Sequence, residues 1–261
     1  MTRNILTIIV LSLFSLTAGA VEPTDSVAAK VPLSKAIADS AYTHEHYADA
    51  AIIYQALIDS FGQSAQLYYN LGNCYYRQDS IARAVLAYER ALLLDPADRD
   101  IRFNLDMARS RTVDRVAVGS EMFFVTAYRS LVLSLSMHEW SLVAIFAFVL
   151  MLVAVCLYLF APTLAWRRTG FYAAIVLLLL CGVANVAARY QRYSMTHRTG
   201  AIVMKPSAVV KSTPSASGTD LFILHEGTRV DLRDDSMREW VEVRLADGKQ
   251  GWLLRSELEV I

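Results

Sequence analysis

Residues 68–96 read YYNLGNCYYRQDSIARAVLAYERALLLDP, and this stretch decides how the first half of the chain folds. Gly72 and Ala84 are small where two helices must approach closely, and tyrosines fill the remaining space between the helices. Pro96 ends the second helix because proline cannot continue the hydrogen-bond ladder of a helix. The stretch therefore predicts a packed pair of helices.

The same pattern occurs 34 residues earlier, since Ala50 recurs as Ala84 and Tyr54 recurs as Tyr88. A fixed period of this length predicts stacked helical pairs, each burying a face against the next. The pattern resembles the tetratricopeptide repeat, and we assign residues 34–115 to two such repeats plus a capping helix. The first copy departs from the second, with Ser34, Ile37, Ala38 and Ala41 where Tyr68, Leu71, Gly72 and Tyr75 stand.

In tetratricopeptide proteins, the first helix of each repeat lines a groove that holds an extended peptide or a partner helix. Some members hold a partner's terminal carboxylate there, and Lys35 and Asn70 would fit such a clamp. Asp39 would repel a carboxylate, so we do not predict the clamp. The alternative is that these positions form ordinary solvated helix faces. The resemblance implies a groove lined by Lys35, Asp39, Tyr42, Tyr69, Asn70, Asn73, Tyr76 and Arg77.

The amino terminus predicts export. Residues 1–20 combine a positive start, a short apolar run and small residues at a cleavage point, which is typical of a signal peptide. The alternative is an uncleaved anchor. Residues 21–33 are polar and contain proline, which predicts a linker.

Two apolar stretches, residues 140–161 and 169–189, are each long enough to span a bilayer. The connection of residues 162–168 is short, so the two helices must be antiparallel. Export of the repeats would place Arg167 and Arg168 in a cytoplasmic loop, as the positive-inside tendency expects. Arg189, Arg192 and Arg198 favour the opposite orientation. No residue of 140–161 or 169–188 is charged, whereas a transport path needs ionisable groups inside the membrane, so we predict an anchor.

Residues 116–139 are apolar with few charges. We predict a helix that lies in the membrane surface. The alternative is a partly buried connecting helix.

Residues 199–261 change to short apolar runs separated by turn signals, which predicts a small all-β domain. Asp247-Gly248 between two alternating runs indicates a hairpin. The domain resembles the bacterial SH3-like barrel, a family whose members bind cell-wall peptides or protein segments. Trp240 and Trp252 are either a ligand platform or fill the core of so small a barrel. The resemblance rests on Val209-Val210, Ser212, Pro214, Leu224–Thr228, Trp240–Val243 and Gly251–Leu253.

Composition argues against several function classes. The 25 basic residues balance 25 acidic ones, so the chain lacks the excess of positive charge that is typical of nucleic-acid-binding proteins. Three cysteines show neither a disulfide framework nor zinc-ligand spacing. His44, His46 and Cys74 are the nearest approach to a thiol or metal site, and their spacing does not support one. We predict no enzyme activity and no cofactor.

The order of signal peptide, repeats, membrane hairpin and SH3-like barrel resembles the BatE family of the Bacteroides aerotolerance group. Asn104-Leu105 followed by Ala108-Arg109 also fits that family. The resemblance implies a two-pass protein of the bacterial inner membrane with both folded parts in the periplasm. Implied partners are membrane or envelope proteins, including von Willebrand type A domain proteins and a MoxR-type ATPase. The alternative function is a peptidoglycan-binding module that assists an envelope hydrolase.

Overall fold

The computed structural model describes residues 33–114, 123–196 and 199–261. The predicted signal peptide of residues 1–20 and all but the last residue of the predicted linker 21–33 lie outside the described residues. The described chain runs from short helices through two long apolar helices to a β domain.

The repeat region consists of short helices joined by tight turns. Ser34 caps the first helix by accepting a hydrogen bond from the Ile37 N–H, and Asp98 caps the last through its carboxylate. Glu45 and Asp79 occupy equivalent turns and both have positive φ, 63° and 61°. The helices are α1 (Lys35–Thr43), α2 (Tyr47–Phe61), α3 (Ala65–Arg77), α4 (Ile81–Leu94) and α5 (Arg99–Arg109).

Two equivalent tyrosines fill the spaces between these helices. Tyr54 on α2 is 1% exposed and Tyr88 on α4 is 0% exposed. Gly72 on α3 lies directly against the Tyr88 ring, where an added Cβ would be 2.6 Å from Cε1. The small residue is therefore required by the close approach of α3 and α4, as the sequence predicts.

Two long apolar helices follow, α7 (Met137–Phe160) and α8 (Leu164–Thr196). Among the described residues, both are long and apolar enough to cross a membrane. Only 17% and 11% of the residues in their most apolar windows are buried, whereas the core helix of a soluble protein is mostly buried. Their antiparallel packing is close at Gly170, where an added Cβ would be 2.7 Å from the Ala154 carbonyl oxygen.

The connection between these helices is shorter than the predicted loop of residues 162–168. Helix α7 ends at Phe160 and α8 begins at Leu164, so Arg167 and Arg168 lie in the first turns of α8. The helix can begin directly after Pro162, because the Thr163 hydroxyl accepts a hydrogen bond from the Trp166 N–H at 3.5 Å. The Arg167 side chain donates to the Tyr158 carbonyl oxygen, which ties the two helices together at this end.

Within the predicted segment 116–139 lies α6 (Phe123–Val132), which packs where α7 begins and α8 ends. Val132 is buried, and its carbonyl oxygen accepts hydrogen bonds from the Trp140 indole and the Gln191 amide. Phe123 and Leu131 are exposed. Helix α6 therefore contacts both long helices through Val132, while Phe123 and Leu131 remain exposed on its surface.

The β domain is an antiparallel sheet of seven strands in the order β3-β2-β6-β5-β4-β1-β7. Gly248 has φ 92° in the turn between β5 and β6, which accounts for the Asp247-Gly248 hairpin signal. The strands are β1 (Gly200–Val203), β2 (Ser207–Lys211), β3 (Asp220–His225), β4 (Arg229–Asp234), β5 (Trp240–Arg244), β6 (Gln250–Leu254) and β7 (Leu258–Val260).

The predicted all-β domain is confirmed. In the described part of the chain, its strands form an open sheet with β3 and β7 as the two edges. After β6 a 3-10 turn, Arg255–Glu257, leads into β7, which pairs with β1.

The sheet packs directly on the repeats. Ile202 of β1 and Ile261 after β7 are buried in one cluster with Val85 and Tyr88 of α4. Burial of apolar surface at such a contact stabilises the two parts against separation. The β domain therefore lies on α4, the second helix of the second repeat.

Charged groups reinforce this contact. Glu89 of α4 is buried and is paired with both Arg109 of α5 and Arg229 of β4. Asp114, just after α5, accepts hydrogen bonds from the His225 backbone N–H at 2.7 Å and from the Thr228 hydroxyl at 2.8 Å. Removal of the β domain would leave buried Glu89 with one fewer cation.

Candidate partner-binding surface

The predicted groove residues lie on α1 and α3, and three of them belong to one series of hydrogen bonds. Lys35 Nζ is 2.8 Å from Asp39 Oδ2, and the Tyr54 hydroxyl donates to Asp39 Oδ1 at 2.5 Å. Asn70 Nδ2 donates to the Tyr54 hydroxyl at 3.4 Å. The structure thus joins Lys35, Asp39 and Asn70 through a tyrosine of α2.

The second repeat reproduces this arrangement one period later. The Tyr88 hydroxyl donates to Asn73 Oδ1 at 2.7 Å, as Tyr54 does to Asp39. Asn104 of α5 donates to Asn73 Oδ1 at 2.9 Å and to the Tyr69 hydroxyl at 3.1 Å. The repeat period therefore appears in side-chain chemistry as well as in the backbone.

Asn104 belongs to this surface, although the predicted groove did not include it. It stands 34 residues after Asn70, so the period itself was the signal that could have found it. Helix α5 therefore resembles the first helix of a third repeat and is more than a cap. Its amide extends the polar surface across α1, α3 and α5.

Aromatic and basic side chains occupy the other end of the predicted groove. Tyr42 packs edge-on against Tyr47 with ring centroids 5.2 Å apart, and the Arg77 guanidinium lies 6.0 Å from the Tyr47 ring. The Arg111 guanidinium lies 5.3 Å from the Tyr76 ring. This end therefore combines aromatic faces with exposed guanidinium groups, and the guanidinium of Arg111 is also paired with Asp79 at 2.6 Å.

The hydrogen bonds and burial of this surface shift the pKa values of Asp39, Tyr54 and Tyr88. Burial alone raises the pKa of Asp39, but hydrogen bonds from Lys35 and Tyr54 outweigh burial, so the pKa is lowered. Burial raises the pKa of Tyr54 and of Tyr88 well above the ordinary value. At neutral pH the surface therefore holds one carboxylate, neutralised by Lys35, and protonated phenols that donate hydrogen bonds.

The three residues considered for a thiol or metal site differ in environment. Cys74 is buried, and burial raises the pKa of its thiol to about 12, so it stays protonated. His44 and His46 are exposed, and His44 Nδ1 contacts the Ser40 carbonyl oxygen. No cluster of three metal-ligating side chains occurs in the regions that the structure describes.

Trp240 and Trp252 lie on one face of adjacent strands, opposite the β-domain core. Val243 and Leu253 belong to that core and are buried, whereas both tryptophans are half-buried. Strand pairing sets Glu242 directly opposite Trp252. The two indoles therefore fill no core position and share an outer face with an acidic neighbour.

A family model described as tetratricopeptide repeat matches residues 35–101. The comparison with curated proteins found no match. The matched range covers α1 to α4 and the start of α5. It confirms the predicted repeats and identifies this region as a protein-interaction scaffold.

Proposed function

We propose that the chain is a membrane-anchored interaction scaffold of the bacterial cell envelope. The observation that carries the proposal is the polar surface of α1, α3 and α5, which begins in the matched tetratricopeptide region and extends beyond it to Asn104. The β domain packs on α4, so this surface stays available to a partner. The expected ligand is an extended segment or helix of another envelope protein.

Membrane anchoring by α7 and α8 is part of the proposal. Their length, apolar composition and low burial support it. Their three-residue connection makes them return to the starting side, which agrees with the contact between Asp114 before the hairpin and His225 after it. We place the repeats and the β domain in the periplasm, and Arg167 and Arg168 at the cytoplasmic face of the inner membrane.

The resemblance to the BatE family supplies the finer proposal. It suggests von Willebrand type A domain proteins and a MoxR-type ATPase system as partners, and a role in aerotolerance or envelope stress. The order of the domains supports this proposal, and the predicted signal peptide at residues 1–20 would direct export.

The test is site-specific photo-crosslinking in native membranes. A photoreactive residue at Arg77, exposed at the predicted groove, is compared with one at Arg244, exposed on β5. We expect a defined envelope protein to crosslink to position 77 and not to position 244. Asn70→Lys, which introduces a positive charge into the groove, should weaken that crosslink. Equal crosslinking at both positions, or none at position 77, would argue against the groove.

A second candidate function is peptidoglycan binding by the β domain. The half-buried indoles of Trp240 and Trp252 on the outer face of adjacent strands favour it, because aromatic faces stack on ligands. The detergent-solubilised full chain would be sedimented with purified cell wall, and Trp252→Ala should release it into the supernatant. A wild-type chain that remains in the supernatant would exclude this function.

A further inference from the structure

A polar cavity of about 250 Å³ lies on the repeats, away from the predicted groove. Its wall includes Gln55 of α2, Tyr75 of α3, Arg83 and Arg90 of α4, and Glu259 of β7. The β domain thus completes a cavity that the repeats begin.

The cavity and the groove use different faces of α3. A helix turns by about 100° per residue, so Tyr68, Leu71 and Tyr75 share one side. The groove residue Asn73 lies on nearly the opposite side, and Tyr76 is turned about 100° away from Tyr75. A ligand in the cavity would therefore leave the groove open, and each site can be altered without the other.

Arg83 is the unpaired cation of this cavity. Its guanidinium lies 5.8 Å from the Tyr75 ring, and among the described residues it makes neither an ion pair nor a hydrogen bond. The side chain is exposed, so it can reach a ligand without first breaking another contact. A planar guanidinium binds a carboxylate through two parallel hydrogen bonds.

Arg90 is different because it is already engaged. It donates to Glu259 Oε1 at 3.0 Å and to the Val260 carbonyl oxygen at 2.7 Å, and its guanidinium lies 5.9 Å from the Tyr68 ring. Arg83, Arg90 and Glu259 together give the wall a net charge of one positive unit. This balance suits a monoanion, since Glu259 would repel a second negative charge.

The Tyr75 phenol adds a neutral donor. Burial raises its pKa even though nearby Arg83 opposes that effect, so the hydroxyl remains protonated at neutral pH. Leu71 and Ala87 line the wall with apolar atoms, which weakens competition from water.

We propose that this cavity binds the carboxylate of an acidic side chain on a protein partner, with Arg83 as its main ligand. This site is separate from the groove. It depends on the proposed scaffold function in one respect only, that a protein partner supplies the carboxylate. Failure of crosslinking at Arg77 would leave it intact, because Arg77 is not in the cavity.

The test uses the full chain in detergent micelles and ligand-observed saturation-transfer NMR. The probe is N-acetylglutamic acid amide, which has one carboxylate, and the neutral control is N-acetylglutamine amide. We expect the acid to bind and the amide to bind at least about tenfold more weakly, because charge-assisted hydrogen bonds are lost. Equal binding of both probes would overturn the proposal.

Two substitutions and one further probe sharpen the test. Arg83→Gln should weaken acid binding about tenfold or more, whereas Arg233→Gln, at another exposed arginine, should not change it. Glu259→Gln removes the repelling carboxylate and should strengthen acid binding. Inorganic phosphate should bind the wild-type chain more weakly than the acid. Equal loss in both arginine variants, weaker binding in Glu259→Gln, or preferred binding of phosphate would each contradict a carboxylate site at Arg83.

Discussion

Asp114 and His225 are 111 positions apart and make two hydrogen bonds with each other, one from the His225 backbone N–H and one with its ring Nδ1. The apolar helices α7 and α8 lie between these two residues in the chain. The contact therefore closes a loop that begins at the end of the repeats and returns to the β domain. It joins the two polar parts of the protein on one side of the helical hairpin.

We predict that Asp114→Asn loosens this junction. Asparagine has a similar shape but lacks the negative charge, and hydrogen bonds to charged groups contribute about 1.5–3 kcal/mol each. Amide hydrogen exchange should show faster exchange in residues 223–229, with the helices of the repeats unchanged. Asp235→Asn, at an exposed position of the same domain, is the matched control. Unaltered exchange in the Asp114 variant would mean that this carboxylate does not hold the junction.

The Asp114 carboxylate also predicts that the stability of the fold depends on pH in the acid range. Burial raises the pKa of Asp114, but hydrogen bonds from His225 and Thr228 prevail, so the folded pKa is lowered from 3.8. A lowered folded pKa gives stability that is complete above 3.8 and is lost as the pH falls through the folded value. Thermal unfolding between pH 5 and pH 2, as an approximate range, should show a steeper loss in the wild type than in Asp114→Asn. Parallel curves would contradict this assignment.

Gly72 offers a test of the repeat packing. In Gly72→Ala the new Cβ would be 2.6 Å from the ring of Tyr88, which is 0% exposed and cannot move freely. Overpacking of this kind costs about 1–3 kcal/mol, which exceeds the gain of about 1 kcal/mol that alanine brings to a helix. We expect a lower thermal midpoint. Gly182→Ala in α8 is the control, because nothing lies within 4 Å of its added Cβ, and it should not lower the thermal midpoint.

The 34-residue period predicted more than the helices. It relates Tyr54 to Tyr88 and Asp39 to Asn73, and the structure gives both pairs the same hydrogen bond. The period also relates Asn70 to Asn104, a step that the family pattern of two repeats did not require. Local sequence carries such information because the same contact is made once per repeat.

Other features depend on residues that are far apart in the chain. Glu89 and Arg229 are 140 positions apart, and nothing in the local pattern of either residue indicates their pairing. For the same reason the packing of the β domain on α4 was not predicted. The predicted loop of residues 162–168 is longer than the observed connection. The prediction used charge to mark the end of a span, but Arg167 and Arg168 also favour a helix and lie within α8.

The central claim is that the repeats and the β domain share one side of the membrane. Single cysteines at Ser60, Ser236 and Thr163, in a chain whose three native cysteines are replaced, would be treated with a membrane-impermeant maleimide in spheroplasts. The account predicts labelling at Ser60 and Ser236 before permeabilisation and at Thr163 only after it. Labelling of Ser60 and Ser236 from opposite sides would contradict it.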